Sequence, residues 1–416
     1  MRAELRTRPE ARPSRPKLRV LGPEDRPRRA EVRRQRRAAA PRRDRSAGIV
    51  LMTTGLLVGA GLVMVLSASS VSSYQANGSS FTFFRRQLVY ALIGSGALFV
   101  TMRMRVAAWQ RLAFPLTAIS GLLLLVVLIP GVGTRAGGSV RWIAIGPVSL
   151  QPSELAKLAI VALTATVLSR KWKLLADPVQ WMLPLLPIVA FICGLVILQP
   201  DLGTMLVLGA TVFLMLFVAG VRLRHLAVCG GLAVSLALGL IMSSEYRRVR
   251  FLSYFDPFAD AGHTGYQLVQ SLVGLASGGW FGVGLGASRQ KWSFIPNAHT
   301  DFIFSIIGEE LGLLGMLVLL VAFATFLFAG IRIAVRARDR FSRFLAAGIV
   351  AWLGFQALLN LGAVTGVLPI TGVPLPFVSF GGSALVVSLA AVGVLVRIGR
   401  DGASRTPSRR PAPARP

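Results

Sequence analysis

Acidic side chains are scarce in this chain: 17 Asp and Glu stand against 46 Lys and Arg in 416 residues. Charged residues of both signs make up only 15% of it, while 54% is hydrophobic. A soluble domain of this length needs far more polar surface, so a water-soluble globular enzyme is excluded. Cysteine is nearly absent. Cys193 and Cys229 each lie in an apolar stretch, which excludes a disulfide framework and leaves them as packing residues. With two thiols and three histidines there is no metal-cage spacing and no Ser/His/Asp or Cys/His nucleophile arrangement. The stretch "SGGWFGVGLGAS" (277–288) is glycine-rich, but its spacing is not a nucleotide fingerprint and no strand precedes it. No nucleotide is expected there.

What the chain does have is apolar length. A window of about 19 residues finds segments near 48–69, 87–102, 112–131, 153–169, 183–199, 203–220, 225–243, 302–333, 344–366 and 382–398. The connectors after the second, fourth, sixth and eighth segments are basic. They carry Arg103, Arg105 and Arg111; Arg170, Lys171 and Lys173; Arg222 and Arg224; and Arg332, Arg336, Arg338, Arg340 and Arg343. Basic connectors mark the cytoplasmic side. The pattern predicts an all-α integral membrane protein with ten transmembrane helices and both termini cytoplasmic. Residues 1–46 hold 17 Lys/Arg and 6 Asp/Glu, and residues 397–416 hold 6 Arg and 1 Asp. Residues 1–46 and 399–416 read as disordered basic cytoplasmic tails flanking a membrane domain at 47–398. Such tails suit anionic lipid or a protein partner; nucleic acid is not expected. The leader is too long for a secretory n-region, so "VLSASSVSS" reads as the end of an uncleaved first helix.

The outer side is expected to hold one large loop, about 244–300, and smaller ones at 70–86, 132–152 and 367–381. These keep Arg141, Arg247, Arg248, Arg250, Arg289 and Lys291 against the usual charge bias. An anionic ligand such as a phosphate is the natural partner for such cations. Local pairing with Glu245, Asp256 and Asp260 is the alternative for the Arg247–Arg250 cluster.

Against the shortage of acids, "NAHTDFIFSIIGEELG" (297–312) places three of them at the head of an apolar run. On a helix starting near Asp301, the period of about 100° per residue puts Ser305, Gly308 and Gly312 on the same small, polar face. Ionisable residues at membrane depth face a cavity or a partner. Asp301 is the functional candidate, while Glu310 suits pairing with a buried cation. In "GPVSLQPSELAKLAI" a helix opens at Pro152 with Glu154 and Lys157 at i, i+3. "LQPDLGT" repeats the Gln-Pro-acid turn with Gln199, Pro200 and Asp201. Together with Asp301 these predict an acidic, water-accessible crevice. In "LPITGVPLPFVSFGGSA" the last outer loop leads through Gly381, Gly382 and Ser383 into the tenth segment. Exposed N–H groups there would suit an anion.

"RWIAIGPVSLQPSELAK", "QPDLGT", "PNAHTDFIFSIIGEELG", "QALLNLGAVTGVLPITG" and "LPFVSFGGSA" resemble, in order, the motifs of the SEDS family of cell-wall polymerases. The resemblance covers roughly residues 48–398. "GLVMVLSASSVSSY" and "FTFFRRQ" are more similar to the FtsW-like division branch than to the RodA-like elongation branch. The resemblance implies the ten-helix SEDS fold and a peptidoglycan glycosyltransferase that polymerises lipid II into β-1,4 glycan strands at the outer face of the cytoplasmic membrane, at the division septum. Asp301 matches the family's essential aspartate. Phe380 stands where the family usually has Tyr, and Ala384 where it often has a second Ser or Thr.

Arg141, Gln151, Ser153, Glu154, Lys157, Asp201, Lys291, His299, Thr300, Ser379 and Ser383 are the candidate substrate-binding residues. A divalent cation (Mg or Mn) near Asp301 or Glu154 is a candidate cofactor. Implied partners are lipid II, the nascent glycan strand, a class B penicillin-binding protein and other divisome membrane proteins. A lipid II flippase and a scaffold for a transpeptidase are the competing readings.

Overall fold

The computed structural model describes residues 45–136, 139–146, 148–263, 265–292, 294–296 and 298–403. Of the tails expected to be disordered, 1–46 and 399–416, residues 1–44 and 404–416 lie outside the described residues, while one helix already begins at Ser46 and another continues through 399–403. A helix stands at each of the ten apolar segments. They are α1 (Ser46–Asn77), α2 (Thr82–Arg103), α3 (Val106–Val127), α4 (Pro152–Arg170), α5 (Pro178–Leu198), α6 (Leu202–Val218) and α7 (Leu223–Met242). After the large loop, which carries α8 (Glu245–Leu252) and α9 (Tyr266–Ser277), come α10 (Ile303–Arg336), α11 (Arg340–Val364) and α12 (Gly382–Ala403). Eight of these are long and apolar enough to cross a membrane. The two outside that set are α6, apolar but 17 residues long, and α2, which begins and ends among arginines.

The helices pack around α4. Sixteen of its 19 residues are buried, because small and apolar side chains surround it on every face. It touches α3, α5, α6, α11 and α12, while α12 packs most closely on α2, and α10 lies against α1 and α11. At the periphery α7 exposes Leu223, Leu232, Val234 and Leu236, the surface expected to meet lipid.

Two features depart from the sequence reading. The 132–152 loop is not irregular but an antiparallel three-stranded sheet, β1 (Gly133–Ala136), β2 (Ser139–Ile145) and β3 (Val148–Leu150), in the order β1-β2-β3. The fold is therefore not purely α. Second, α10 is broken at Gly312 (φ 66°, ψ −166°). The glycine-rich segment after α9 enters the break: Val283 N–H donates to the Glu309 carbonyl and Gly284 N–H to that of Glu310. In return Leu313 and Leu314 donate to the Gly279 and Trp280 carbonyls. Two backbones approach this closely only where side chains are missing. A Cβ at Gly282 would sit 2.1 Å from the Glu310 carbonyl oxygen, and one at Gly312 would sit 2.4 Å from the Gly282 nitrogen. The segment 277–288 thus stitches a loop into a helix.

Candidate functional site

Glu309 and Glu310 lie just before the break at Gly312 and organise the chain that leads to Asp301. Glu309 is buried and accepts from the Ser288 hydroxyl, the Arg289 N–H at 2.8 Å and the Gln290 N–H at 3.4 Å. Glu310, fully buried, accepts from Ser67 at 2.6 and 2.7 Å and faces the Lys291 ammonium at 3.7 Å. The buried cation expected opposite Glu310 is thus Lys291, which also donates to the Gly286 carbonyl. A charge at this depth is tolerable because its partner and hydrogen bonds come with it. Lys291, assigned from sequence to substrate, is committed to this clamp.

Asp301 lies in the turn before α10, not within the helix. Its neighbours on the supposed polar face are packed: Ser305 donates to the Ser271 carbonyl at 2.8 Å, and Gly308 abuts Leu275 of α9. The Asp301 side chain is half-buried, accepts from the Thr300 hydroxyl and lies beside Gly372. Among the described residues no cation pairs with it. Its backbone carbonyl accepts from Asn360 Nδ2 at 2.7 Å, and the same amide donates to the Val373 carbonyl at 2.8 Å. One side chain therefore fastens the Asp301 turn to the last outer loop. His299 is buried, its ring 4.7 Å from Phe83 and 5.4 Å from Phe380, and its carbonyl accepts from Phe380 N–H. Burial pushes the imidazole down to about 4, so it is neutral at physiological pH. His299 packs the loops together rather than presenting a charge.

One turn earlier on α11, Gln356 makes the matching bond to the same loop. Its Nε2 donates to the Pro374 carbonyl at 2.9 Å, while its Oε1 accepts from Trp352 Nε1 and Lys157 Nζ, both at 2.9 Å. Lys157 pairs with Glu154 at 2.9 Å, both side chains being at most 2% exposed. Trp352, Gln356 and Asn360 recur every four residues and so share one face of α11. They link the Glu154–Lys157 pair to Asp301 through residues 373–374. From sequence, Gln356 and Asn360 stand only within one resembling motif and none of the three has an assigned role, although three polar-edged side chains at this spacing in an apolar helix are a signal.

The other candidates are held by protein. Asp201 caps α6 through the Thr204 N–H (3.1 Å) and hydroxyl (2.9 Å). Arg141 donates to the Gln199 carbonyl at 3.0 Å and to that of Pro200, and lies 3.8 Å from Asp201, tying β2 to that turn. Ser379 accepts from Leu375 N–H and Ser383 from Gln151 N–H, at 2.9 and 3.0 Å. Gln87, also missed from sequence, donates to the Ser379 carbonyl and accepts from Gly381 N–H. The expected open acidic crevice is not formed. Glu154 and Asp201 are buried, one spent in an ion pair and one in a cap, and only Asp301 reaches solvent.

Five buried polar atoms around these loops have no hydrogen-bond partner: Ser153 Oγ, Glu154 Oε2, Gln290 Oε1, Asn360 Oδ1 and Thr371 Oγ1. The void behind the 374–381 loop measures about 10 Å³, no more than one water. Among the described residues no group of three or more His, Cys, Asp or Glu side chains converges as a metal cage.

A family model described as "Cell cycle protein", covering FtsW, RodA and SpoVE, matches residues 48–403. A probable peptidoglycan glycosyltransferase FtsW of Geobacter metallireducens is 42% identical over 350 residues, 84% of this chain and 93% of that protein. Stage V sporulation protein E of Bacillus subtilis is 43% identical over 352 residues, 85% of this chain and 96% of that one. Among solved structures, a chain from "Structural coordination of polymerization and crosslinking by a peptidoglycan synthase complex" matches with TM-score 0.71 and 31% identity, covering 85% of this chain and 97% of its own. The rod shape determining protein RodA of Thermus thermophilus matches with TM-score 0.62 and 28% identity, over 85% and 96%.

Proposed function

The chain belongs to the family of FtsW, RodA and SpoVE, and from that premise we propose that it is a peptidoglycan glycosyltransferase polymerising lipid II at the outer face of the cytoplasmic membrane. Two of the most similar relatives support the reading by name and by structural setting. In the same reading all ten helices cross the membrane with both termini cytoplasmic. The four arginine-bearing connectors support that orientation.

One observation carries the chemistry. Of Glu154, Asp201 and Asp301, Asp301 is the one that is not buried, and its backbone is clamped by Asn360. In this reading the acceptor sugar's hydroxyl attacks the anomeric carbon of the donor, and the carbon–oxygen bond to the lipid pyrophosphate breaks. Asp301 takes the hydroxyl proton as attack proceeds, a contribution of about 10²–10⁴-fold. Direct displacement inverts an α-linked donor to a β-1,4 product with no covalent enzyme intermediate. The departing pyrophosphate needs charge stabilisation. Of the two cations assigned to it from sequence, Arg141 is 21% exposed and Lys291 6%, which favours Arg141. Asp301 alone could hold Mg or Mn only with help from substrate phosphates; when bound, the cation would supply neutralising charge.

A division role at the septum, with a class B penicillin-binding protein and other divisome proteins as partners, fits the FtsW relatives. It also fits the synthase complex that coordinates polymerisation with crosslinking. The decisive test is Asp301→Asn and Asp301→Ala in proteoliposomes supplied with labelled lipid II. Glycan strands should fall at least about 100-fold while the thermal midpoint holds. Undiminished polymer refutes the role, and leaflet transfer without polymer favours a flippase.

A further inference from the structure

A cavity lies at the opposite ends of the helices that carry the Asp301 region. It encloses about 340 Å³ between the α2–α3 junction, the α10–α11 connector and the end of α12. Arg105, Arg338, Arg397, Asp339 and Asp401 line it together with Val106.

Its charges do not balance internally. Asp339 is spent as the cap of α11, accepting from the Ser342 N–H at 3.0 Å and the Ser342 hydroxyl at 2.7 Å. Asp401 accepts from Arg397 Nε at 3.1 Å. Arg105 and Arg338 are exposed and, among the described residues, their side chains make no hydrogen bond or ion pair. Two guanidinium groups therefore line one cavity with both of its carboxylates already committed elsewhere. Guanidinium forks match the paired oxygens of a phosphate. The volume lies within the range of about 300–1,000 Å³ typical of ligand pockets. Val106 adds an apolar wall, and the cavity opens where apolar helices end, at the level of headgroups.

We propose that this cavity binds the phosphate of an anionic phospholipid headgroup, a site separate from the Asp301 region and independent of the reaction there. It requires only that these helices cross a bilayer. Each basic residue near an anionic membrane surface strengthens attraction several-fold, so losing both arginines should weaken retention about 30-fold.

The test is native mass spectrometry of the full chain in neutral detergent doped with phosphatidylglycerol. Phosphatidylglycerol should remain on the parent protein and on an Arg111→Gln/Arg224→Gln control, whose two exposed arginines lie outside the cavity. It should be lost about 30-fold from Arg105→Gln/Arg338→Gln. An Arg105→Lys/Arg338→Lys protein should fall between, keeping charge without the fork. A parallel arm adds millimolar inorganic phosphate: displacement of the lipid shows that phosphate alone suffices, and persistence shows that the lipid body contributes. Equal retention by the Gln pair and the parent overturns the proposal, and so does equal loss from the control. Unchanged thermal midpoints exclude misfolding as the cause.

Discussion

Replacing Lys157 by methionine keeps much of the side chain's volume and removes its charge. Lys157 is 1% exposed, 2.9 Å from Glu154, 2.9 Å from Gln356 and 5.3 Å from the centre of the Trp352 ring. The substitution strands a buried carboxylate whose second oxygen already lacks a partner. Breaking a buried pair from one side costs about 3–5 kcal/mol. The lost contact with Trp352 adds about 1–2 kcal/mol. The larger figure wins, because the stranded carboxylate and not the lost ring contact dominates. Removing both charges, as in Glu154→Gln with Lys157→Met, should bring the protein back to within about 1–2 kcal/mol of the parent. Reversible unfolding by SDS in mixed micelles reads all three differences. Loss of less than about 1 kcal/mol in the single variant would refute the reasoning, and so would a double variant as unstable as the single one. Because Gln356 also holds the Pro374 carbonyl, polymer yield should drop with the single substitution.

Three further outcomes are expected. Gly282→Ala places a methyl 2.1 Å from the Glu310 carbonyl at a φ of +79°, so the protein should fail to reach the membrane as a monodisperse species; normal yield would argue against the splice. Asn360→Leu frees the Asp301 turn from the 371–375 loop and should cut kcat at least about tenfold, more than it shifts KM; an unchanged kcat in single-turnover polymerisation would count against the clamp. His299, outside the helices, is pushed by burial down to about 4 from its ordinary 6.5. The unfolded chain takes up that proton first, so this contribution is full above pH 6.5 and is lost as pH falls towards about 4. Thermal midpoints measured from pH 8 downwards should decline more gently in His299→Phe; parallel curves would exclude the effect.

Apolar length was the most legible signal, and a helix stands at every segment it marked, because the ten runs are long and separated by charge or proline. The strands at 133–150 were missed since each is short and pairs only within its own hairpins. The break at Gly312 was invisible for a different reason: the glycine is needed by a segment 30 residues upstream, and helical periodicity cannot report a contact of that kind. Within the site, Asp301 and the Glu154–Lys157 pair were readable from residue type and spacing. Trp352, Gln356 and Asn360 were written in the sequence at a spacing of four, yet uncharged side chains draw less notice than acids in an apolar run. Partner choice stayed hidden in most cases. Whether Lys291 meets a phosphate or Glu310 depends on how two distant loops fold together.

The interruption in α10 divides it into an outer piece, 303–311, and a longer inner rod, 313–336. The outer piece and the first residues of the rod are both sewn to the neighbouring loop, while the rod carries the long apolar stretch on which bilayer thickness acts. A membrane that thins or thickens tilts such a rod. Because Leu313 and Leu314 at the top of the shaft are bonded to the same loop as Glu309 and Glu310, a lean of the shaft pulls on the glycine-rich seam as well as on the summit above it.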